Sequence, residues 1–597
     1  MQKLPTLIAA LLLGPTIASA QNVTFDVKGG RESVEEALRA ASLVATLNAD
    51  ENLGPQDYIA AARADYRRLL TGLYAQGYYG GTISILVDGR EAADIAPLAA
   101  PDTIQAIVLR VDPGPRFTFG DAVVAPLPQG TVLPGAFREG RTARASVIGQ
   151  AVSTGTTAWR DAGHAKVSAG ERKITARHDT NTLDATVTLT PGPQLTFGAQ
   201  TVTGNVDVRT ARVLAIAGLP EGKVYSPAEI AKAERRLRET GAFDSATIVE
   251  SKDIAAGNSL PVDLQVVESK PRRFGFGLEL SSVEGLKVSS YWMHRNFLGA
   301  AERFRIDGDI AGISGETGGI DYALGASYER PAVEGPDTDF YLRGRISRDD
   351  EPDYLIDQVS IEAGFTRLLR DELNVQAGVG VLTAREVTQL GTRGYTLLTL
   401  PLAATLDRRN VPTDATEGYF LNLRTTPFYD TDNDLVGARA FGDARAFRSF
   451  GDTEQLTFGA RVQLGSVMGT TVQNAPADFL FYSGGGGTVR GQPYKDLGVN
   501  TTVGGQVVRT GGLSFAGAQM EARYAVTPKI GLVGFYDIGQ VSADASFGSN
   551  AQWHAGAGLG VRYETGIGPI RLDLGTPASG TNVAGNLQVY IGIGQSF

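Results

Sequence analysis

The sequence predicts a tandem of small α+β domains followed by an all-β transmembrane barrel of about 16 antiparallel strands. Three observations carry that prediction. The N-terminus has the layout of an export signal, one string recurs at a fixed spacing in the first half, and the texture changes from helical to alternating after Pro271.

The export signal occupies residues 1–20. Lys3 supplies the positive charge, Leu7 to Leu13 the apolar run, and Ala18-Ser19-Ala20 the small-residue cleavage site, so the mature chain is expected to begin at Gln21. Beyond it no apolar run is long enough for a spanning helix. The 597 residues contain no cysteine, which excludes disulfides, thiolate metal sites and a lipid anchor on an N-terminal Cys. A net charge of −10 argues against a nucleic-acid partner, which needs a basic face. The 74 glycines are an excess that lies mainly in the second half.

The repeat is visible directly. Pro113-Gly114-Pro115-Arg116-Phe117-Thr118-Phe119-Gly120 returns as Pro191-Gly192-Pro193-Gln194-Leu195-Thr196-Phe197-Gly198. Predicted helices end at Gly77-Tyr78, Gly163-His164 and Gly241-Ala242-Phe243, and each is followed by strand-like sequence. The third unit shows the plan best. Leu195–Val202 reads as a strand and Val206–Ala217 as a short helix. Ser226-Pro227-Ala228-Glu229 has the form of a capping box before Ile230, Ala233 and Leu237 at helical spacing, and Gly241 is a suitable stop. Strands near Ala246–Glu250 and Val262–Val267 complete a β-α-α-β-β order. The first unit repeats it with Val23–Val27, Ser33–Leu43, Gln56–Gln76, Thr82–Val87 and Ile104–Val111. The second has weak capping signals but a hairpin, Lys173–Arg177 and Ala185–Leu189, around Asn181.

This order resembles the POTRA domain, a polypeptide-transport-associated module, with copies expected at 21–112, 113–190 and 191–270. The resemblance implies binding of extended segments by strand addition at a sheet edge.

From 271 to 597 alternation takes over. Phe274, Phe276, Leu278 and Leu280 occupy every second place at the start, and Leu587, Val589, Ile591 and Ile593 do so at the end. Thr457–Leu464, Gln519–Val526 and Ile530–Ile538 read the same way. Apolar outside and polar or small inside is what a closed barrel in lipid requires, because no backbone group can face hydrocarbon unpaired. The expected location is the cell outer membrane, with the tandem domains in the periplasm.

Four segments of this half resemble the superfamily of outer-membrane assembly factors that includes BamA, TamA and the two-partner secretion transporters. Gly485-Gly486-Gly487-Thr488-Val489-Arg490-Gly491-Gln492-Pro493-Tyr494 resembles the family loop that folds from outside into the lumen, with Gln492-Pro493 separating Gly491 from Tyr494. Gly534-Phe535-Tyr536-Asp537-Ile538-Gly539 resembles the strand that receives it. Asp407-Arg408-Arg409-Asn410-Val411-Pro412 through Gly418, and His294-Arg295-Asn296-Phe297-Leu298-Gly299, are the other two. Phe597 resembles the terminal aromatic of such barrels, although Gln595 departs from the usual apolar place.

Arg490 among glycines is no core residue, and a guanidinium held inside a barrel needs carboxylates. Glu521 and Asp537, on inward strand positions, are the expected partners, with Phe535 and Gly539 on the same wall. Val489, Arg490, Gly491 and Tyr494 form the expected lumen-loop motif. Gly275 and Gly277 near the start of the barrel, with Gly592, Gly594 and Phe597 at its end, mark an expected weak lateral seam, since glycine forfeits side-chain pairing.

Three modules resemble the TamA branch. That implies a factor acting on unfolded autotransporter or barrel clients, with a TamB-like periplasm-spanning partner and outer-membrane lipid around the barrel. The alternative is a dedicated two-partner-type secretion pore. No cofactor is expected. The four histidines, His164, His178, His294 and His554, make no metal pair, and no Lys-Ser/Thr follows Gly484–Gly487 to form a phosphate cradle, so an enzyme is not expected.

Overall fold

The computed structural model describes residues 22–29, 32–47, 53–96, 100–281, 285–315, 318–451, 455–547, 550–566, 568–579, 587–593 and 595–597. The expected signal at 1–20 and Gly594 lie outside the described residues. Two compact units form. One runs up to Gly198 and includes Glu221–Glu229 and Asp253–Leu260; the other holds Ala199–Pro220, Ile230–Lys252 and Pro261–Phe597.

In the first module, Asn22–Val27 lies parallel to Ala106–Asp112, and Thr82–Val87 pairs with the latter from its other side in the antiparallel sense. A parallel neighbour needs a crossover, which the helices Glu32–Ala41, Leu43–Thr46 and Pro55–Gln76 provide. The long helix starts where Asp57 accepts the Gly54 N–H at 2.8 Å with Pro55 at the first position, and it ends at left-handed Gly77. Its buried residues Ile59, Ala62, Leu69 and Leu73 recur at helical spacing and pack with Leu38, Ile85, Ile107 and Leu109.

Asp65, on the buried face of this helix, is fully buried. It accepts the Ser42 hydroxyl at 2.5 Å and the Leu43 and Val44 amides at 2.7 and 3.1 Å, so it fixes the short helix Leu43–Thr46. Asp65→Ala strands the Ser42 hydroxyl and the Val44 amide, both buried, and the half-buried Leu43 amide, and is expected to destabilise the module by about 3 kcal/mol. Hydrogen exchange on the full chain should then show the amides of 42–46 losing protection, while Asp65→Asn retains part of it.

The recurring Pro-Gly-Pro string has a structural meaning within this unit. The Phe117 N–H donates to the Gly77 carbonyl and the Leu195 N–H to the Gly163 carbonyl, both at 2.9 Å. Each string thus docks on the glycine that ends the preceding helix.

The second module departs from the expected β-α-α-β-β order. Thr118–Ala125 lies parallel to Thr182–Thr190, which pairs antiparallel with Ser168–Arg177, but a single helix, Ala145–Asp161, makes the crossover. Residues 126–144 are turns. Pro126, Pro128 and Pro134 with Gly130, Gly135 and Gly140 break any helix there, and Phe137 fills the place against Phe119.

In the third module, Phe243–Glu250 pairs antiparallel with Ser259–Glu268. The expected helix from Val206 begins only at Thr210. The Glu268 carboxylate accepts the amides of Val206, Asp207 and Val208 at 2.8 to 3.1 Å and holds them in a non-helical turn.

The barrel closes from Arg272–Ser281 to Gln588–Ile593. Gly391–Thr399 and Leu402–Asp407 are halves of one strand interrupted at Leu400-Pro401, since both pair with Leu373–Thr388 and with Gly418–Asp430. Counted so, the described residues make 16 antiparallel strands. Leu324, Ile346, Val379, Met520 and Leu559 point outward and are exposed, whereas Asp443, Gln463, Glu521, Asp537 and Asp573 are inward and buried. This is the alternation a lipid-embedded barrel needs.

Candidate functional site: the lumen loop and its ion cluster

The connection from Met468 to Ser514 carries the small hairpin Val499–Val503 and Gln506–Thr510, and its glycine-rich part lies against the inner wall. Arg490 is 1% exposed. Its Nε and Nη2 donate to the two Asp537 oxygens at 2.7 and 2.9 Å, a fork-to-fork geometry, and its own backbone N–H adds a third bond to Asp537 at 3.1 Å. Nη1 donates to Glu521 and lies 3.7 Å from Asp573. The guanidinium stands 3.8 Å from the Phe535 ring centre. The strands from Ser514 to Ser579 supply this set from consecutive inward positions, Glu521 opposite Phe535 and Asp537 opposite Gly556.

Two more guanidiniums complete the cluster. Arg562 donates to Asp573 at 2.5 Å and Arg523 to Glu521 at 2.9 Å. Three cations then face three carboxylates, which is what keeps so many buried charges tolerable. Arg523, Arg562 and Asp573 were not singled out in the sequence. Their inward places were legible from alternation, but their partnership depends on register between strands.

The rest of the loop explains its residue types. Gly491 is left-handed, and a side chain there would meet the Thr576 backbone; its N–H donates to the Tyr590 hydroxyl at 3.2 Å. Gly556 lets the Arg490 carbonyl press on the wall. Val489 is fully buried against Gly539. Gln492, also missed, is 1% exposed and donates to the carbonyls of Ala555 and Ser579, both at 2.7 Å. His554 meets the Ser483 hydroxyl at 2.9 Å. Tyr494 does not join Arg490. Its hydroxyl donates to Glu351 at 3.1 Å, where Lys495 also pairs at 2.7 Å, so it tethers the loop to a different wall.

The C-terminal residues end at the same cluster. The Ser596 hydroxyl donates to Glu521, Gln595 accepts from Arg562 at 2.9 Å and donates to Asp414 at 2.9 Å, and Phe597 is buried with Phe447 and Ala415. Phe597 therefore belongs to the inner wall and not to the seam. Gln595, the departure from the usual pattern, is the residue that turns inward to polar partners.

At the seam itself, the described residues give two register pairs, Leu280 with Ile591 and Ser281 with Tyr590. Gly277 does not face Gly592, because the register of these pairs puts Glu279 level with it across the seam. A side chain at Gly275 would strike Tyr291, and one at Gly277 would strike Ser289. Gly275 and Gly277 make room for inward neighbours, and among the described residues the pairing across the seam is short. Among the described residues no cluster of His, Asp and Glu is arranged to hold a metal ion.

Residues 296–597, about half of the chain, match the Omp85 superfamily domain, and residues 195–269 match the POTRA domain described as a surface antigen variable number repeat. The chain is 23% identical over 441 residues to the outer membrane protein assembly factor BamA of Nitratidesulfovibrio vulgaris, which covers 69% of this chain and 52% of that protein. It thus spans about half the length of that relative. BamA from Haemophilus ducreyi lacking POTRA domains 1-3 has a similar fold, with a TM-score of 0.62 and 13% identity over 80% of this chain and 100% of that one. CdiB from Acinetobacter baumannii gives 0.50 and 11%, over 80% and 89%. With its alternating barrel and the matched repeat before it, the chain belongs to the Omp85 superfamily, as an outer-membrane β-barrel protein with periplasmic POTRA modules.

Proposed function

We propose that the chain is a subunit of a translocation and assembly module that helps insert or secrete autotransporters and other barrel proteins. The modules guide a client strand by edge addition, and the seam offers it a template. The observation that carries this reading is the contrast in pairing. Among the described residues the first strand makes ten register pairs with the second and two with the last. Cross-strand pairs contribute roughly 0.2–1 kcal/mol each, so two pairs hold the seam by only about 0.4–2 kcal/mol. Arg272–Glu279 has no partner on the last strand among the described residues, which leaves a strand edge able to pair with another chain. A relative named as an outer membrane protein assembly factor supports the same role. A long, β-rich, TamB-like periplasmic protein is the proposed partner, and the buried ion cluster is structural with no catalytic part.

Reconstitution tests it. Full-length protein in phospholipid vesicles should speed insertion of a urea-unfolded autotransporter barrel, read as heat-modifiable mobility, at least about tenfold over empty vesicles. Delivery of a soluble exported substrate into the vesicle interior, with no gain in barrel insertion, would instead establish the two-partner-type secretion pore.

A further inference from the structure

The outward face of the barrel is not uniformly apolar. The modules precede the first strand, so turns 352–353 and 389–390 lie on the side away from the periplasm. Near them, Arg348, Asp357 and Arg385 stand outward on three adjacent strands, in register with one another. Arg348 donates to Asp357 at 3.1 Å, with both side chains 46% exposed. Arg385 makes no ion pair among the described residues, and Asp350 lies two residues further out on the Arg348 strand. By contrast, the outward positions of the strands from Ser514 to Ile593 carry no charge.

An outward Arg costs about 2–4 kcal/mol at the bilayer midplane and about 0–1 near the interface, so these side chains mark the outer headgroup level. A groove of about 700 Å³ begins at them and descends along Ile346, Val359, Leu324 and Ile310 to Ser290 and Gly308. Its size is that of a ligand site and its lower walls are apolar. It is floored by Gly308, where an added Cβ would meet nothing closer than 3.9 Å. Arg385, and Arg348 beside its partner Asp357, stand above an apolar trough, which matches an anionic headgroup carrying an acyl chain that competes with Asp357 for Arg348. Facing the outer leaflet, the site suits a phosphorylated, multiply acylated glycolipid.

We infer that this patch binds such a glycolipid, with a phosphate on Arg348 and Arg385 and an acyl chain over Gly308 and Ser290. Arginine is suited to the phosphate because its planar fork gives paired hydrogen bonds. The inference uses the outer-membrane location alone and does not depend on the assembly role. The second strand lines the trough, so the bound lipid sits one strand from the seam.

The test is lipid retention by the purified full chain in native mass spectrometry, offering bis-phosphorylated hexa-acyl lipid A, phosphatidylglycerol or phosphatidylcholine. Lipid A should be retained selectively. The double variant Arg348→Gln, Arg385→Gln should lower that retention about tenfold, and Gly308→Leu, which fills the trough and leaves the charges, should do the same. Heat-modifiable mobility reports that each variant is folded, and the two reach the site by independent routes. Equal retention by folded variants and the parent, no retention by the parent, or phosphatidylglycerol held as tightly as lipid A would each overturn the inference.

Discussion

Arg490→Ala is expected to reduce client insertion at least about tenfold while the barrel still folds. The guanidinium supplies two of the three donors to Asp537, and it also bonds Glu521. Removing it leaves two cations against three carboxylates within a buried cluster. Breaking a fully buried pair costs about 3–5 kcal/mol, and water in the lumen lowers that figure. The loss falls on the loop, because the strands of the wall keep their own ladders. Arg490→Lys keeps the charge but not the fork or the stacking on Phe535, so intermediate activity is expected. The exchanged pair Arg490→Asp, Asp537→Arg should not rescue, since Asp537 also accepts the residue 490 backbone N–H and Phe535 is shaped to a guanidinium on the loop side. Insertion rates and urea midpoints measured together separate the two effects. Parental insertion by Arg490→Ala would remove the loop from the mechanism.

The architecture was legible because its signals are local. The period of the Pro-Gly-Pro string reports a repeated docking of Phe117 and Leu195 on glycine carbonyls, and strand alternation reports which side chain meets lipid. Arg490, Glu521 and Asp537 could be grouped because a lone cation in a glycine run demands inward carboxylates. What depends on register was not legible. Arg562 and Asp573 face each other only once two strands are aligned, and Gln492 bonds two carbonyls from different strands. Likewise, the glycines of the first strand looked like weak points, yet the cause of their presence is the ring of Tyr291 and the hydroxyl of Ser289 on the next strand. The second module misled for another reason. The homology of its flanking strings hid a proline-rich segment that cannot be helical.

Locking the seam should have the largest effect of all. Leu280 and Ile591 are register partners with side chains on the lipid face, 50% and 41% exposed, so cysteines there would not disturb the loop cluster. Facing Cβ atoms in an antiparallel pair are about 4.5–5.5 Å apart, and a disulfide needs about 3.5–4.5 Å, so a small shift suffices. The chain has no native cysteine, so the engineered pair is unambiguous. Leu280→Cys, Ile591→Cys should fold, cross-link under oxidant and then lose client insertion, with reductant restoring it. The matched control is Leu574→Cys, Val589→Cys, which joins the last strand to its predecessor and leaves the seam free. That bond should have little effect, because opening by edge addition requires only that the first and last strands part. If the seam bond formed fully and insertion continued at the parental rate, the first and last strands would not separate during assembly, and the short pairing at Leu280 and Ser281 would be a closure with no mechanistic use.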